Sequence, residues 1–141
     1  MRVALIVARY HDFITDRLES GARQALLERG IATADIVTFS VPGAYELAQA
    51  AQRVAEESVF DAVVCLGCLI RGETIHFDVI ASAAAEGIMR AAQATATPIT
   101  FGVLTTNTAE EAMARAVDGT ANKGREAAIA AFEMATMYGT L

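Results

Sequence analysis

Four short runs of apolar residues, rich in valine and isoleucine, alternate along the chain with longer segments in which apolar residues recur every three or four positions. Unbroken apolar runs of this length are typical of strands that are buried on both faces of a parallel sheet. The runs cover Val3–Val7, Ile36–Val41, Ala62–Ile70 and Ile99–Leu104. Because strands that alternate with helices form βαβ units, this order predicts a parallel sheet with helices on both faces.

The segments between and after the runs predict the helices. Asp12 is a candidate N-cap for the first helix, and Gly30 is expected to end it. The other helices are expected at about residues 44–57, 76–94, 110–116 and 122–137. The predicted fold class is α/β: a single-domain, three-layer α/β/α sandwich over residues 1–141, flavodoxin-like, with a four-stranded parallel sheet.

Composition narrows the classes of partner and compartment. The chain has 11 basic and 17 acidic residues and a net charge of −6, and its basic residues form no run, which argues against nucleic acid as a partner. The first apolar run is too short for a membrane span and no secretory signal precedes it, so a cytoplasmic location without membrane attachment is expected. A hydrophobic content of 54%, much of it alanine, suggests surface hidden in an oligomer.

The two cysteines resemble a CxxC motif but are interpreted as packing residues. Cys65 and Cys68 lie within one predicted strand, so they point to opposite faces and stand about 10 Å apart, too far for a disulfide. No other cysteine is present to complete a zinc site, and no dinucleotide-binding or ATP-binding glycine motif occurs. Cys68 is expected near the edge of the sheet where a ligand binds.

Ligands of open parallel sheets bind beyond the carboxyl ends of the strands, so the residues that follow each strand are the candidates for chemistry. Four segments qualify: Arg9–His11, Pro42–Glu46, Arg71–His76 and Thr105–Asn107.

Within 71–76, Gly72 allows a tight turn, Thr74 adds a hydroxyl donor and free N–H groups open a helix, a combination that suits phosphate. The alternative is an ordinary capped helix start, with Thr74 as the cap. His76 could transfer protons in both directions, or could simply cap the helix.

The remaining candidates each have a functional and a structural interpretation. Tyr10 could stack on a flat heterocycle or be an ordinary half-buried aromatic. Glu46 could accept hydrogen bonds from a polyol or merely complement a helix dipole. Arg115 could clamp a phosphate, and Lys123 opens the last helix, but both could be solvated surface charges.

Three blocks of sequence carry a resemblance to a known family. Residues 41–47 read VPGAYEL, residues 67–78 read GCLIRGETIHFD, and FGVLT at 101–105 precedes Glu110, Ala112, Arg115 and NKG at 122–124. In order and spacing, these blocks resemble the lumazine synthase family along nearly the whole chain. The central block is long, contiguous and unusual, which makes the resemblance specific.

The resemblance implies a transferase that acts in the penultimate step of riboflavin biosynthesis. It would condense 5-amino-6-(D-ribitylamino)uracil with 3,4-dihydroxy-2-butanone 4-phosphate to 6,7-dimethyl-8-ribityllumazine and release phosphate, with no metal and no organic cofactor. His76 and Arg115 would be catalytic. The family's contacts to the ribitylaminouracil fall on Tyr10, Ala44, Tyr45, Glu46, Cys68, Leu69, Ile70 and Phe101. Its contacts to the phosphate fall on Glu73, Thr74, Arg115 and Lys123.

The resemblance also implies partners. The family assembles as a homo-oligomer built from pentamers with sites at subunit interfaces, Phe101 being supplied by the neighbouring subunit, and riboflavin synthase is a further implied partner. Three positions depart from the family's usual pattern: Tyr10 stands where phenylalanine is more common, His11 where many members have asparagine, and Ala48 where a proline is common.

Other functions compete with this interpretation. The pocket could hold a flavin for storage or regulation, the assembled shell could itself be the function, or the chain could be another enzyme of the same fold. Retention of His76, Arg115 and Lys123 together argues against a flavin reservoir, which needs no phosphate clamp. The central RGxTxH block fits another enzyme of the fold less well.

Overall fold

The computed structural model describes all 141 residues and contains one four-stranded sheet. The strands are β1 (Val3–Ala8), β2 (Ile36–Val41), β3 (Ala62–Ile70) and β4 (Ile99–Thr106); all neighbours pair in parallel, in the order β2-β1-β3-β4. The helices are α1 (Asp12–Glu28), α2 (Leu47–Glu56), α3 (His76–Thr95), α4 (Ala109–Ala114) and α5 (Lys123–Tyr138), with short 3₁₀ helices at Thr33–Asp35 and Ala44–Glu46. The predicted α/β class and parallel sheet are confirmed.

The sheet separates two hydrophobic clusters. Side chains alternate along β1, so that Leu5 packs with Leu18 of α1 on one face and Ile6 packs with Leu47 of α2 on the other. All four of these side chains are fully buried, and burying one such side chain is worth about 1.5–3 kcal/mol. Helices α1 and α5 therefore cover one face and α2 and α3 the other. No helix combines the length and apolarity that crossing a lipid bilayer requires.

Two element boundaries differ from the sequence-based expectation. The cap prediction for Asp12 was wrong, because the N-cap of α1 is His11, whose carbonyl oxygen accepts hydrogen bonds from the N–H groups of Ile14 and Thr15. Asp12 lies in the first turn, where a carboxylate complements the helix dipole. The second helix begins as a 3₁₀ turn and becomes α-helical only at Leu47.

The strand order creates a crevice at one edge of the sheet. From β1 the chain crosses outward to β2 and then returns to β3 on the other side of β1. The connections that leave the carboxyl ends of β1 and β3 therefore diverge to opposite sides. A crevice at such a switch point is the usual ligand site of open parallel sheets.

Candidate active site

A cleft of about 700 Å³ lies at this switch point. It is lined by the segments that follow β1, β2 and β3 and by the first turns of α3. The structure brings the following sequence-predicted residues together in its lining: Tyr10, Ala44, Tyr45, Glu46, Leu69, Ile70, Thr74 and His76.

Backbone hydrogen bonds beyond the ends of β1 and β2 place Tyr10 in the cleft. Arg9 N–H donates to the carbonyl oxygen of Val41 at 2.8 Å, and Tyr10 N–H donates to that of Pro42 at 3.1 Å. The tyrosine side chain remains 68% exposed, so its ring presents a free face. An exposed aromatic ring in a cleft is suited to stacking on a flat heterocycle.

His11 adjoins Tyr10 in an unusual backbone conformation. Its φ and ψ of 62° and 49° lie in the left-handed region, which asparagine and histidine tolerate better than most residues. Its ring centroid is 4.5 Å from that of Tyr10 and 5.9 Å from that of Phe13. Partial burial lowers the pKa of His11 below its ordinary value of 6.5, because burial disfavours the charged imidazolium.

His11→Asn is expected to reduce the sensitivity of folding stability to acid. As pH falls through 6.5, the unfolded chain binds the His11 proton more strongly than the folded protein does, so the wild type loses stability. The melting temperature of the wild type should therefore fall more between about pH 7.5 and about pH 5 than that of the variant. The two proteins should melt alike at the higher pH, because asparagine also tolerates the left-handed conformation. Equal losses on acidification would contradict the prediction.

The segment from Gly72 to His76 forms the exposed wall of the cleft. Thr74 is not the helix cap: the N-cap position of α3 is Ile75, and the Thr74 hydroxyl oxygen accepts the His76 N–H at 3.3 Å. Gly72 does not have a left-handed φ, and no atom lies within 4 Å of where its β-carbon would be. The turn itself therefore does not require glycine at position 72.

Arg71 connects the end of β3 to the first turn of α3. Its guanidinium donates to both carboxylate oxygens of Asp78, at 3.2 and 3.3 Å, and to Asn107 Oδ1 at 3.2 Å. It also lies 4.5 Å from the ring centroid of Phe77. These contacts hold the helix start that carries His76 against the ends of β3 and β4.

Glu46 lies opposite this wall, in the 3₁₀ turn after β2. Its N–H donates to the Gly43 carbonyl oxygen at 3.2 Å, and its carboxylate folds back over Gly43. A β-carbon at position 43 would lie 3.4 Å from Glu46 Oε1, so glycine leaves this carboxylate room. Glu46 is half-buried, whereas the neighbouring Tyr45 is exposed. The carboxylate can accept hydrogen bonds from hydroxyl groups in the cleft.

Three other predicted site residues line a second cleft, of about 440 Å³, formed by β4, α4 and the start of α5. They are Phe101, Arg115 and Lys123. Lys123 Nζ pairs with Glu126 Oε1 at 3.1 Å, and Arg115 Nη1 donates to the Glu111 carbonyl oxygen at 3.0 Å. The two clefts share no lining residue, so one chain does not bring all the predicted contacts together.

Two predicted residues line neither cleft. Glu73 is exposed on the segment before α3. Cys68 is only 2% exposed and packs beneath α1 and α5, whereas Cys65 packs on the opposite face, which confirms the packing interpretation. Burial raises the pKa of the Cys68 thiol to about 11 and that of Cys65 to about 12, so neither is a thiolate nucleophile at neutral pH.

Sequence reasoning did not select two residues of the first cleft, Phe77 and Ile80 of α3. His11, which belongs to the candidate segment after β1, also lines the cleft. Ile80 stands four residues after His76 and therefore lies on the same face of the helix. This four-residue spacing could have identified Ile80 from the sequence, because a helix that begins at a ligand site lines that site with one of its faces.

A cleft at the switch point of a parallel sheet, with a free aromatic ring, a carboxylate and a histidine at a helix start, is typical of enzymes that bind a small, flat, polar substrate. Comparison with known families specifies which enzymes these are. The family model of 6,7-dimethyl-8-ribityllumazine synthase matches residues 1–138 of the 141, and the chain belongs to this family. It is therefore a transferase, and lumazine synthase activity in riboflavin biosynthesis follows from that membership.

Proposed function

We propose that the enzyme condenses 5-amino-6-(D-ribitylamino)uracil with 3,4-dihydroxy-2-butanone 4-phosphate. The 5-amino nitrogen attacks the ketone carbon, and water leaves as the imine forms. Loss of the proton from the adjacent carbon (C3) then expels phosphate, and the resulting enol becomes a carbonyl at that carbon. The ribitylamino nitrogen attacks this carbonyl carbon, and loss of a second water closes the ring and gives 6,7-dimethyl-8-ribityllumazine. Because the amine and the ketone are intrinsically reactive, holding them in register supplies most of the acceleration.

The composition of the first cleft carries this proposal. Tyr10 offers a stacking face for the pyrimidine, Glu46 an acceptor for the ribityl hydroxyls, and Thr74 a hydroxyl for the phosphate, all in one lining with His76. His76 moves protons during imine formation and phosphate elimination, a role that suits an exposed imidazole at the cleft wall. The volume of about 700 Å³ lies within the usual range for sites that bind small molecules.

A neighbouring copy of the chain completes the site in this proposal. Phe101, Arg115 and Lys123 of that copy face the first cleft, where Arg115 stabilises the departing phosphate and Lys123 adds positive charge. Arg115 and Lys123 line a cleft separate from the one that holds His76. This separation is explained if the two cations bind the phosphate of a substrate held in the first cleft of another subunit. The proposal follows the family's arrangement, in which each site lies at the interface between neighbouring subunits of a pentamer.

The outer surface of α3 supports such an interface. Ile75, Val79 and Met89 are 75%, 54% and 59% exposed. Large apolar side chains grouped on one helix typically mark a surface that another protein covers. The helix begins at the first cleft, so a subunit packed against it lies beside the site.

Purified wild-type protein is expected to accelerate lumazine formation from the two substrates, with phosphate released in equal amount. Absorbance of the lumazine and a phosphate assay measure the two products, and the reaction without protein gives the spontaneous rate. A rate equal to the spontaneous one, in a folded oligomer that binds riboflavin, would contradict the proposal and favour the flavin-binding alternative.

A further inference from the structure

Asn122 is a fully buried polar side chain whose amide atoms all have partners. Its Nδ2 donates to the carbonyl oxygens of Arg17 at 3.2 Å and Ala116 at 3.0 Å. Its Oδ1 accepts the Arg125 N–H at 3.0 Å, which makes Asn122 the N-cap of α5. One side chain therefore joins α1, the segment after α4 and the start of α5.

The two cations of the second cleft lie at the ends of the loop that Asn122 anchors. Lys123 N–H donates to the Arg115 carbonyl oxygen at 2.8 Å, which closes the loop at its base. Residues 117–121 between them are exposed, so the interior of the loop contributes little packing. The anchors are the buried Ala116 side chain and the three hydrogen bonds of Asn122.

We propose that Asn122 is a positioning residue for Arg115 and Lys123. By fixing both ends of the loop against α1, its amide holds the two cations in one orientation toward the phosphate. This inference rests on the proposed function in assigning phosphate to the second cleft. Asn122 is sealed from the substrate by burial and acts only through its neighbours.

Gly21 of α1 gives a second, independent way to disturb the same anchor. A β-carbon at Gly21 would overlap the side-chain amide of Asn122. Gly21→Ala therefore displaces the amide while leaving Asn122 itself in place. Asn122→Ser is the complementary change: its hydroxyl oxygen can still cap α5, but its single O–H on a shorter side chain cannot replace both hydrogen bonds that the Asn122 amide donates.

Steady-state kinetics of Asn122→Ser and Gly21→Ala test the proposal. The KM for the butanone phosphate should rise about tenfold in both, because displaced cations hold the phosphate less well, while the KM for the ribitylaminouracil changes little. Val3→Ala is the control, since Val3 is buried at the opposite end of the sheet and its truncation lowers stability without touching the loop. Equal changes in both KM values, or the same pattern in the control, would overturn the assignment.

Binding of inorganic phosphate separates this inference from the proposed function. Isothermal titration should show weaker phosphate binding in Asn122→Ser and Gly21→Ala than in wild type and Val3→Ala, whether or not the wild type catalyses the condensation. Undiminished phosphate affinity in both variants would overturn the role of Asn122 even in an active enzyme. A wild type that binds no phosphate would overturn it as well.

Discussion

Oligomers assembled from equal amounts of His76→Ala and Arg115→Ala subunits are expected to regain about a quarter of the wild-type activity. Each variant alone should lose about 100-fold in kcat, His76→Ala through lost proton transfer and Arg115→Ala through lost stabilisation of the departing phosphate. If neighbouring subunits share sites as proposed, a site built from the first cleft of an Arg115→Ala subunit and the second cleft of a His76→Ala subunit is intact in a mixed oligomer. Random assembly makes about one site in four of this kind.

The expected recovery rests on the separation of the two clefts. His76 lines the cleft at the ends of β1 and β3, whereas Arg115 lines the one beside β4, and no residue is common to both. If one chain held a whole site, no mixture of the two variants would contain an intact one. Activity is measured by lumazine absorbance after the two variants are unfolded and refolded together.

A second mixture provides the control. Wild-type subunits mixed with His76→Ala/Arg115→Ala double-variant subunits should retain about a quarter of the activity if sites are shared, but about half if each chain holds its own. Folded variants mixed without subunit exchange should gain nothing. Absence of recovery in the refolded mixture, together with half the activity in the control, would show that the site lies within one chain.

Strands β1 and β3 were predictable because both of their faces are buried. The expected burial of β2 was wrong in part, because Thr38, Phe39 and Ser40 of this outer strand are exposed. Along β1 and β3 nearly every residue packs into one of the two clusters, so the sequence reads as an unbroken apolar run, and the predicted bounds of each strand agree with the structure within two residues. The position of the first cleft was predictable for a related reason. Parallel strands end at the same edge of a sheet, so polar residues that follow β1, β2 and β3 must meet there.

Features that depend on long-range geometry were not predictable. His11 adopts a left-handed conformation that no neighbouring residue signals, and this displaced the expected cap from Asp12. Asn122 donates to Arg17, which lies 105 positions away in the chain. The predicted contacts are divided between two clefts because β4 is an outermost strand of the sheet. The sequence alone does not reveal this strand order. Each of these required the packed structure.

Gly124→Ala is expected to destabilise the protein by about 3 kcal/mol, although alanine favours a helix over glycine by about 1 kcal/mol. Gly124 lies in the first turn of α5, where the helix crosses α1. A β-carbon there would overlap the backbone carbonyl of Leu18, and backbone cannot move aside as a flexible side chain does. The two helices must separate, which weakens the packing of Leu18 and stretches the hydrogen bond from Asn122 to Arg17.

The same substitution at Gly139 provides the matched control, because it lies at the other end of α5 with helical φ and ψ of −63° and −15°. The nearest atom to a β-carbon there would be the Thr136 carbonyl oxygen of the same turn, at 3.3 Å. Gly139→Ala should therefore leave the melting temperature unchanged or slightly higher. Gly124→Ala should lower it by about 10 °C at the same protein concentration. If both variants melt alike, helix propensity alone governs position 124 and α1 does not approach α5 as closely as the contact requires.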